Sequence, residues 1–274
     1  MNYRHAYHAG NFADLLKHAL VLWLLERMPR PLAVIDTHAG AGLYDLGDGT
    51  QARSREAEAG IGRLMGAPRA SMPGALRMLA ERVERLNDAE VRLYPGSPRL
   101  IVGALAREDS YCGFELNPEV LALLERVLAD HDNAHARGAD GYDGLMGEVR
   151  AEKASNGLLV LIDPPFERAD DYVRSAEALR GVVDALPDAV VALWTPLKDM
   201  ETFDGCLRRI EGMAAPVSVI ETRLRPLTNP MKMNGCAMII ANAPKGLDDE
   251  GLSVARWIAQ HLGEAGAEGR TWRL

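Results

Sequence analysis

The 274-residue sequence is poor in cysteine and has no long apolar run. Its three cysteines are widely spaced and odd in number, which favours a reducing compartment and excludes a disulfide framework or a cysteine-rich zinc site. The longest apolar stretch, ALVLWLL at 19–25, is far shorter than the ~20 residues of a membrane span. The opening MNYRHAYHAGN lacks the apolar core of a signal peptide. We therefore expect a soluble, cytoplasmic protein with no membrane contact.

The sequence also lacks an excess of positive charge, since its formal net charge is -8. A polyanionic partner would need a local basic patch. The segment 207–245 is one candidate, because it carries six basic residues against Glu211 and Glu221. Two interpretations stay open: this patch faces RNA, or it is only solvated. The basic residues are Arg208, Arg209, Arg223, Arg225, Lys232 and Lys245.

Metal-ligand spacing is also missing. The histidines at 5, 8, 18 and 38 do not pair at the separations that zinc sites use, so we expect no metal.

Strand and helix patterns alternate along most of the chain. Asn11 is a plausible N-cap for a helix that runs to about Met28, and LAVID at 32–36 is typical of a buried strand. Residues 45–95 have helical stretches and no convincing strand. The alternation then resumes and predicts a mostly parallel, seven-stranded α/β sheet with helices on both faces. The later strands are SYCGFEL, NAHARG, LLVLID, AVVALW, VSVIETRL and CAMIIAN.

The pattern predicts a main domain formed by 1–44 and 96–274, with a small helical subdomain inserted at 45–95. Within the main domain, 1–30 forms an N-terminal cap segment and helix. On that helix Asp14, Lys17 and His18 share one face, which by itself is interpreted as solvated surface.

The stretch LLVLIDPPF ends a buried strand with an acid. Pro164 and Pro165 cannot donate to a ladder, so the strand must stop at Asp163. A carboxylate is therefore held at the carboxyl end of a central strand, where open α/β sheets bind ligands. Trp194, at the end of the next strand, is interpreted as a core residue rather than a platform for a base.

Three other strand ends carry candidate binding residues. DTHAGAG at 36–42 is a tight turn but a poor dinucleotide fingerprint, since its third glycine position is Tyr44. Glu115, in FELNP, can accept both hydroxyls of a ribose. Asp140, in RGADGY, can accept an adenine amino proton. Acids after successive strands together indicate a nucleoside-containing ligand.

YRHAYHAGNFADLLKH, DTHAGAG, YPGSP and DPPF together resemble the RlmJ family of 23S rRNA (adenine-2030) N6-methyltransferases. The resemblance spans nearly the whole chain. It implies a Rossmann-like methyltransferase fold that uses S-adenosylmethionine (SAM) and no metal. It implies 23S rRNA as partner, in a deproteinised or early-assembly form, and a monomeric enzyme.

The resemblance also implies residue roles. The family motif usually ends in tyrosine where this chain has Phe166, so a hydroxyl is lost. Asp163, Pro164 and Phe166 would be catalytic: the carboxylate and the Pro164 carbonyl accept the N–H groups of the target amine, and the Phe166 ring stacks on the extruded base. Residues implied at the SAM site are His18, His38, Gly40, Ser97, Glu115, Asp140, Gly141 and Asp163, and those implied at the RNA are Tyr3, His5 and Lys17.

Three alternatives remain open from the sequence. A guanine-N2 rRNA methyltransferase would also use DPPF. A nicotinamide-dependent reductase is disfavoured by the missing third glycine. An RNA-binding protein without catalysis is disfavoured by the intact acids Glu115, Asp140 and Asp163.

Overall fold

The computed structural model describes residues 9–47, 55–88, 90–152, 155–227 and 233–274. Within these ranges the chain builds an eight-stranded sheet and a separate two-stranded ribbon. The strands are β1 (Leu32–Asp36), β2 (Leu43–Asp45), β3 (Leu93–Pro95), β4 (Ser110–Phe114), β5 (Ala134–Arg137), β6 (Gly157–Ile162), β7 (Val190–Leu197), β8 (Val217–Arg223), β9 (Gly235–Ala241) and β10 (Glu268–Arg273). The helices are α1 (Phe12–Arg27), α2 (Arg55–Ala57), α3 (Arg63–Gly66), α4 (Gly74–Glu84), α5 (Ser97–Val102), α6 (Pro118–Leu128), α7 (Gly141–Ala151), α8 (Asp171–Ala185), α9 (Met200–Ile210) and α10 (Leu247–Leu262).

The large sheet has the order β10-β8-β9-β7-β6-β1-β4-β5. Strands β5, β4, β1, β6 and β7 are parallel, whereas β9, β8 and β10 pair antiparallel. The chain leaves β1 towards β4 and β5 and then returns to β6 on the other side of β1. The switch point of the sheet therefore lies between β1 and β6, where open α/β sheets bind ligands.

A hydrophobic core lies on each face of the sheet. One lies under α1, α4, α5, α6 and α10, and the other lies under α7, α8 and α9. The predicted α/β fold with helices on both faces is confirmed. Among the described residues, no helix has the length and apolar character needed to cross a bilayer.

The predicted number of strands was wrong, because the sheet has eight. The missed strand, β10, pairs antiparallel with β8 at the edge of the sheet. Its residues are mostly half-exposed, and its sequence EGRTWR lacks the apolar run that marks the buried strands.

Helix α1 begins after Asn11, as predicted. The Asn11 side chain accepts hydrogen bonds from the backbone N–H groups of Ala13 and Asp14 at 2.9 and 3.1 Å. Every residue from Phe12 to Leu25 is buried, because α4, α5, α10 and β9 all contact this helix. It is therefore a central helix rather than an amphipathic surface helix.

The expectation of no strand in 45–95 was also wrong. Strand β3 lies in this segment and pairs antiparallel with β2, so the two ends of the segment are joined. Between them lie α2, a π-helical turn at Glu58–Gly62, α3, a 3-10 turn at Arg69–Ser71 and α4. The apolar residues of α4 share one continuous core with α1. The segment is thus packed onto the main sheet, and its division as a separate subdomain stays a prediction.

Candidate active site

Two carboxylates flank the switch point of the sheet. Asp36 is the last residue of β1 and is fully buried. Asp163 directly follows β6, where Pro164 ends the ladder. Because β1 and β6 are neighbours in parallel register, both side chains lie at the same edge.

Lys17 connects α1 to Asp163. Its Nζ lies 2.5 Å from Oδ2 of Asp163 and 3.0 Å from Oδ1 of Asp14, and all three side chains are at least nine-tenths buried. Burial alone would lower the pKa of Lys17, but the charges of Asp14 and Asp163 outweigh it and raise the pKa. Asp14 also accepts a hydrogen bond from the backbone N–H of Gly10 at 2.9 Å. A buried lysine thus shares two carboxylates.

The solvated-surface interpretation of this helix face was therefore wrong. Asp14, Lys17 and His18 are 5%, 3% and 1% exposed. His18 Nδ1 lies 2.8 Å from the hydroxyl of Tyr94 on β3, so the inserted segment covers part of this face. Helical spacing correctly put the three residues together, but the covering segment is distant in sequence and no local pattern reveals it.

The glycine turn after β1 has the predicted tight geometry. Gly40 and Gly42 have φ angles of 67° and 77°, which L side chains rarely adopt. His38 lies in this turn, with Nδ1 2.8 Å from the hydroxyl of Thr37 and its ring edge-on to Tyr142. Burial lowers the pKa of His38 to about 4, against the opposing charges of Asp163 and Asp140. The imidazole is thus neutral at physiological pH.

Asp36 is the acid that sequence reasoning left without a role. Ser97 donates from Oγ to its Oδ2 at 2.8 Å, and the Tyr111 hydroxyl donates to the same oxygen at 3.4 Å. Burial raises the pKa of Asp36 to about 7, and the charge on Asp163 adds to this rise while Ser97 opposes it. The sequence did contain a sign of this acid, because Asp36 is the first residue of the DTHAGAG turn at the end of a predicted strand. Ser97, by contrast, was expected to contact SAM and here binds Asp36.

Glu115 follows β4 and Asp140 comes after β5, so both acids lie at the same edge of the sheet as Asp36 and Asp163. Burial raises the pKa of Glu115, although the backbone N–H groups of Asn117 and Gly40 donate to it and oppose the rise. Asp140 caps α7 by accepting from Tyr142 N–H at 2.9 Å, and it ion-pairs with Arg174 at 3.2 Å. Partial burial acts to raise the pKa of Asp140, but the hydrogen bond and charge of Arg174 outweigh it and lower the pKa.

Gly141 has a packing reason to be glycine. A Cβ at this position would lie 1.9 Å from the backbone oxygen of Thr37. The start of α7 is therefore held against the turn that follows β1, which brings Asp140 towards Gly40 and His38.

The Phe166 ring does not offer the stacking face expected from the motif. It is 4% exposed and packs against the rings of Tyr172 and Trp194, at centroid distances of 4.5 and 5.7 Å. Its φ of 51° is unusual for a residue with a side chain. Lys198 donates from Nζ to the Phe166 carbonyl at 2.9 Å. This backbone turn directs the ring inwards, and motif matching cannot reveal that direction.

Trp194 lies between Phe166 and α1. The Nζ of Lys17 is 5.9 Å from its ring centroid, and the residue is half-buried. It therefore belongs to the wall of the site as well as to the core.

Some of the predicted residues cannot be assigned to the site. Tyr3, His5 and Lys232 fall outside the described residues. In the basic stretch 207–245, Arg223 ion-pairs with Glu221 and Arg225 ion-pairs with Glu264 at 2.7 Å. Two of its charges are thus neutralised within the protein.

A doubly wound sheet with a glycine turn after its first strand and acids after the next strands is the Rossmann-like arrangement of an enzyme that binds a nucleoside-containing cofactor. The family model described as "Ribosomal RNA large subunit methyltransferase D, RlmJ" matches residues 29–274. The chain belongs to this family, and it is an rRNA methyltransferase with SAM as methyl donor.

Two relatives agree with this assignment, and a solved structure agrees with the fold. The chain is 30% identical to ribosomal RNA large subunit methyltransferase J of Escherichia coli (strain K12), over 97% of this chain and 95% of that protein. It is 27% identical to the protein of the same name from Haemophilus influenzae, over 96% and 94%. A crystal structure of a Legionella pneumophila protein superposes with a TM-score of 0.85 at 24% identity, covering 97% of this chain and 98% of that one.

Replacing Glu115 by alanine is expected to weaken SAM binding by about 1–3 kcal/mol, the cost of losing hydrogen bonds to a charged acceptor. Titration calorimetry with SAM measures this directly. Glu119→Ala is the matched control, because Glu119 is an exposed acid in the first turn of α6. Asp140→Ala is a less clean test, since it also removes a helix cap worth ~1 kcal/mol. Equal SAM affinity in Glu115→Ala and Glu119→Ala would contradict the ribose role.

Proposed function

We propose that this protein methylates the N6 atom of one adenine in 23S rRNA, the position that corresponds to adenine-2030. The observation that carries the proposal is the buried pair of Lys17 and Asp163 at the switch point, directly before Pro164. An exocyclic amine is a weak nucleophile because its lone pair is delocalised into the ring. It needs acceptors that hold its N–H groups and orient the nitrogen.

Asp163 is suited to accept one of these N–H groups. Its Oδ2 is taken by Lys17, whereas no donor from the described residues hydrogen-bonds to Oδ1. An ionised carboxylate accepts hydrogen bonds on both oxygens, so Oδ1 is available to the amine. The carbonyl of Pro164 supplies the second acceptor, and proline brings no competing N–H.

Lys17 fixes the orientation of Asp163. Its buried Nζ lies 2.5 Å from Oδ2, and burial protects this ion pair from screening by salt. Asp14 in turn orients Lys17 from the other side. As the nitrogen attacks, the Asp163 carboxylate stabilises the positive charge that develops on it, and the N–H proton leaves through the same hydrogen bond.

The residues around the glycine turn fit the cofactor. SAM, when bound, supplies an activated methyl group, so the chain itself need not activate an electrophile. The turn at Gly40 and Gly42 allows close backbone approach, Glu115 can bind the ribose and Asp140 the adenine amine. His38 is neutral and so adds no repulsion towards a sulfonium.

Phe166 requires a rearrangement if it stacks on the target base. Its ring must leave Tyr172 and Trp194, and the positive φ of its backbone is a strain that this movement can release.

Three further residues have proposed roles in binding. Tyr3 and His5 contact the RNA, and His18 lies near the methionine end of SAM.

The proposed substrate is accessible RNA rather than a finished subunit, because the target base must leave its stack to reach Asp163. The proposed enzyme is a cytoplasmic monomer. A guanine amino group remains the alternative acceptor, since DPPF suits it as well.

The test is methyl transfer from labelled SAM to rRNA from a strain that lacks this gene, followed by digestion and identification of the modified nucleoside. We expect N6-methyladenosine, with deproteinised 23S rRNA or a hairpin cut from it as a substrate. N2-methylguanosine would replace the adenine assignment with the alternative. Reaction only with assembled large subunits would contradict the proposed substrate form.

A further inference from the structure

A basic cavity lies beside α5, away from the carboxylates of the active site. It has a volume of about 390 Å³ and is lined by residues from the ends of α4, α5 and α6. Three of these are arginines, Arg82, Arg85 and Arg99, and they are accompanied by His131 and a single acid, Asp130. This concentration of positive charge is unusual in a chain whose formal net charge is -8.

The arginines of this cavity are short of acidic partners. Within the described ranges, the side chains of Arg85 and Arg99 make no hydrogen bond and no ion pair, although Arg99 is half-buried. Arg82 donates to the carbonyl of Gly103 at 2.7 Å. Burial, and then the charge of Arg85, lower the pKa of Arg82, and the opposing effects of Glu26 and Glu81 are smaller. Like charges thus face one another with too few anions to neutralise them.

Other arginines of the chain show the usual arrangement. Arg92 makes a bidentate contact with Asp45, and Arg174 bridges Asp140 and Asp143. A half-buried guanidinium without a carboxylate is costly unless an anion binds there. The cavity is therefore suited to an anionic ligand.

We infer that this cavity binds phosphate groups in the backbone of the substrate RNA. The inference rests on the proposed function, which supplies RNA as the ligand. Guanidinium groups match phosphate oxygens in a two-pronged geometry, and their planar fork favours phosphate over small, strongly hydrated anions. Backbone contacts of this kind position a nucleic acid without reading its sequence.

The cavity is joined to the active site by one short helix. Ser97, the first residue of α5, donates to Asp36 at the switch point, and Arg99 lies two residues further along. At 1.5 Å per residue, the six steps from Ser97 to Gly103 span about 9 Å. Phosphates follow one another at about 3.4 Å along a strand axis, so RNA held in the cavity reaches the catalytic edge within a few nucleotides.

The test is RNA affinity as a function of salt for the double variant Arg85→Gln/Arg99→Gln. The probe is a labelled 23S rRNA hairpin, followed by fluorescence anisotropy. Each lost phosphate contact lowers the slope of log K against log salt by about 0.7 to 0.9, so two lower it by about 1.4 to 1.8. We also expect affinity at ~0.1 M salt to fall at least about fivefold, with unchanged affinity for SAM.

The matched control is Arg150→Gln/Arg256→Gln, which removes the same charge from two exposed helical arginines. Its slope should stay at the wild-type value. An unchanged slope in the cavity variant, or an equal loss in the control, overturns the inference. If the double variant unfolds, Arg85→Gln alone decides, because Arg85 is exposed, and its slope should fall by about 0.7 to 0.9.

Methylation of the same hairpin by the wild-type protein is measured in parallel. Failure of that reaction counts against the proposed function, whereas normal reaction with an unchanged slope counts against the cavity alone.

Discussion

Replacing Asp163 by alanine is expected to lower the turnover number at least about a hundredfold, the lower range for a group positioned at the reacting atom. The variant loses the acceptor that orients the target amine. SAM affinity should change by less than about threefold, well under the 1.4 kcal/mol of a tenfold change, because in the proposed role the side chain faces the target amine rather than the ribose or adenine of SAM. Single-turnover methylation of 23S rRNA and SAM calorimetry provide the two measurements.

Glu167→Ala is the matched control, since Glu167 is an exposed acid four residues further along the same loop. Its turnover should equal that of the wild type. Thermal unfolding tests whether Asp163→Ala is folded, because Lys17 keeps Asp14 as a partner in that variant. Normal turnover in Asp163→Ala would exclude Asp163 as the catalytic acid.

Replacing Lys17 by methionine is expected to destabilise the protein by about 3–5 kcal/mol, the cost of removing one partner from a buried ion pair. It leaves Asp14 and Asp163 facing each other without a cation. Two close carboxylates without a cation cannot both ionise easily, so a low pH favours a proton on one of them. Methylation by this variant should therefore increase as the pH rises, whereas removal of a simple RNA contact would reduce the rate equally at all pH values.

The double variant Lys17→Met/Asp14→Asn separates these effects. It removes one of the two carboxylates and with it the repulsion between them, so the pH dependence should weaken. Part of the lost free energy of unfolding should also return, since fewer unpaired charges are buried. A flat pH profile for Lys17→Met, equal to that of the double variant, would contradict the coupling between Lys17 and Asp163.

The buried strands were predictable because their chemistry is local. LAVID and LLVLID are apolar runs that end in an acid, and β1 and β6 lie at those positions. The edge strand β10 was not predictable in the same way. Its side chains are mostly half-exposed, and what holds it is its pairing with β8 together with the ion pair between Arg270 and the buried Glu221.

The sequence predicted where the candidate site residues lie in the fold better than it predicted what their side chains contact. Asp163 and Glu115 follow strands whose ends meet at one edge, which sequence order alone implies. The burial of Lys17 depends on Asp163 and Trp194, which are distant in sequence, and the inward direction of Phe166 depends on one positive φ angle. Neither property has a local sequence pattern, because both arise from packing between distant segments.

The central position of α1 has a consequence for how the protein is made. This helix is synthesised before β9 and α10, yet it packs against both of them. Its buried charges at Asp14 and Lys17 cannot be desolvated until those late elements arrive. Contacts between segments so far apart form slowly, because a long loop must close first. The surroundings of Lys17 are therefore completed only after β9 and α10 have left the ribosome, so we expect a nascent fragment that lacks these elements to be unable to methylate the rRNA of the particle that makes it.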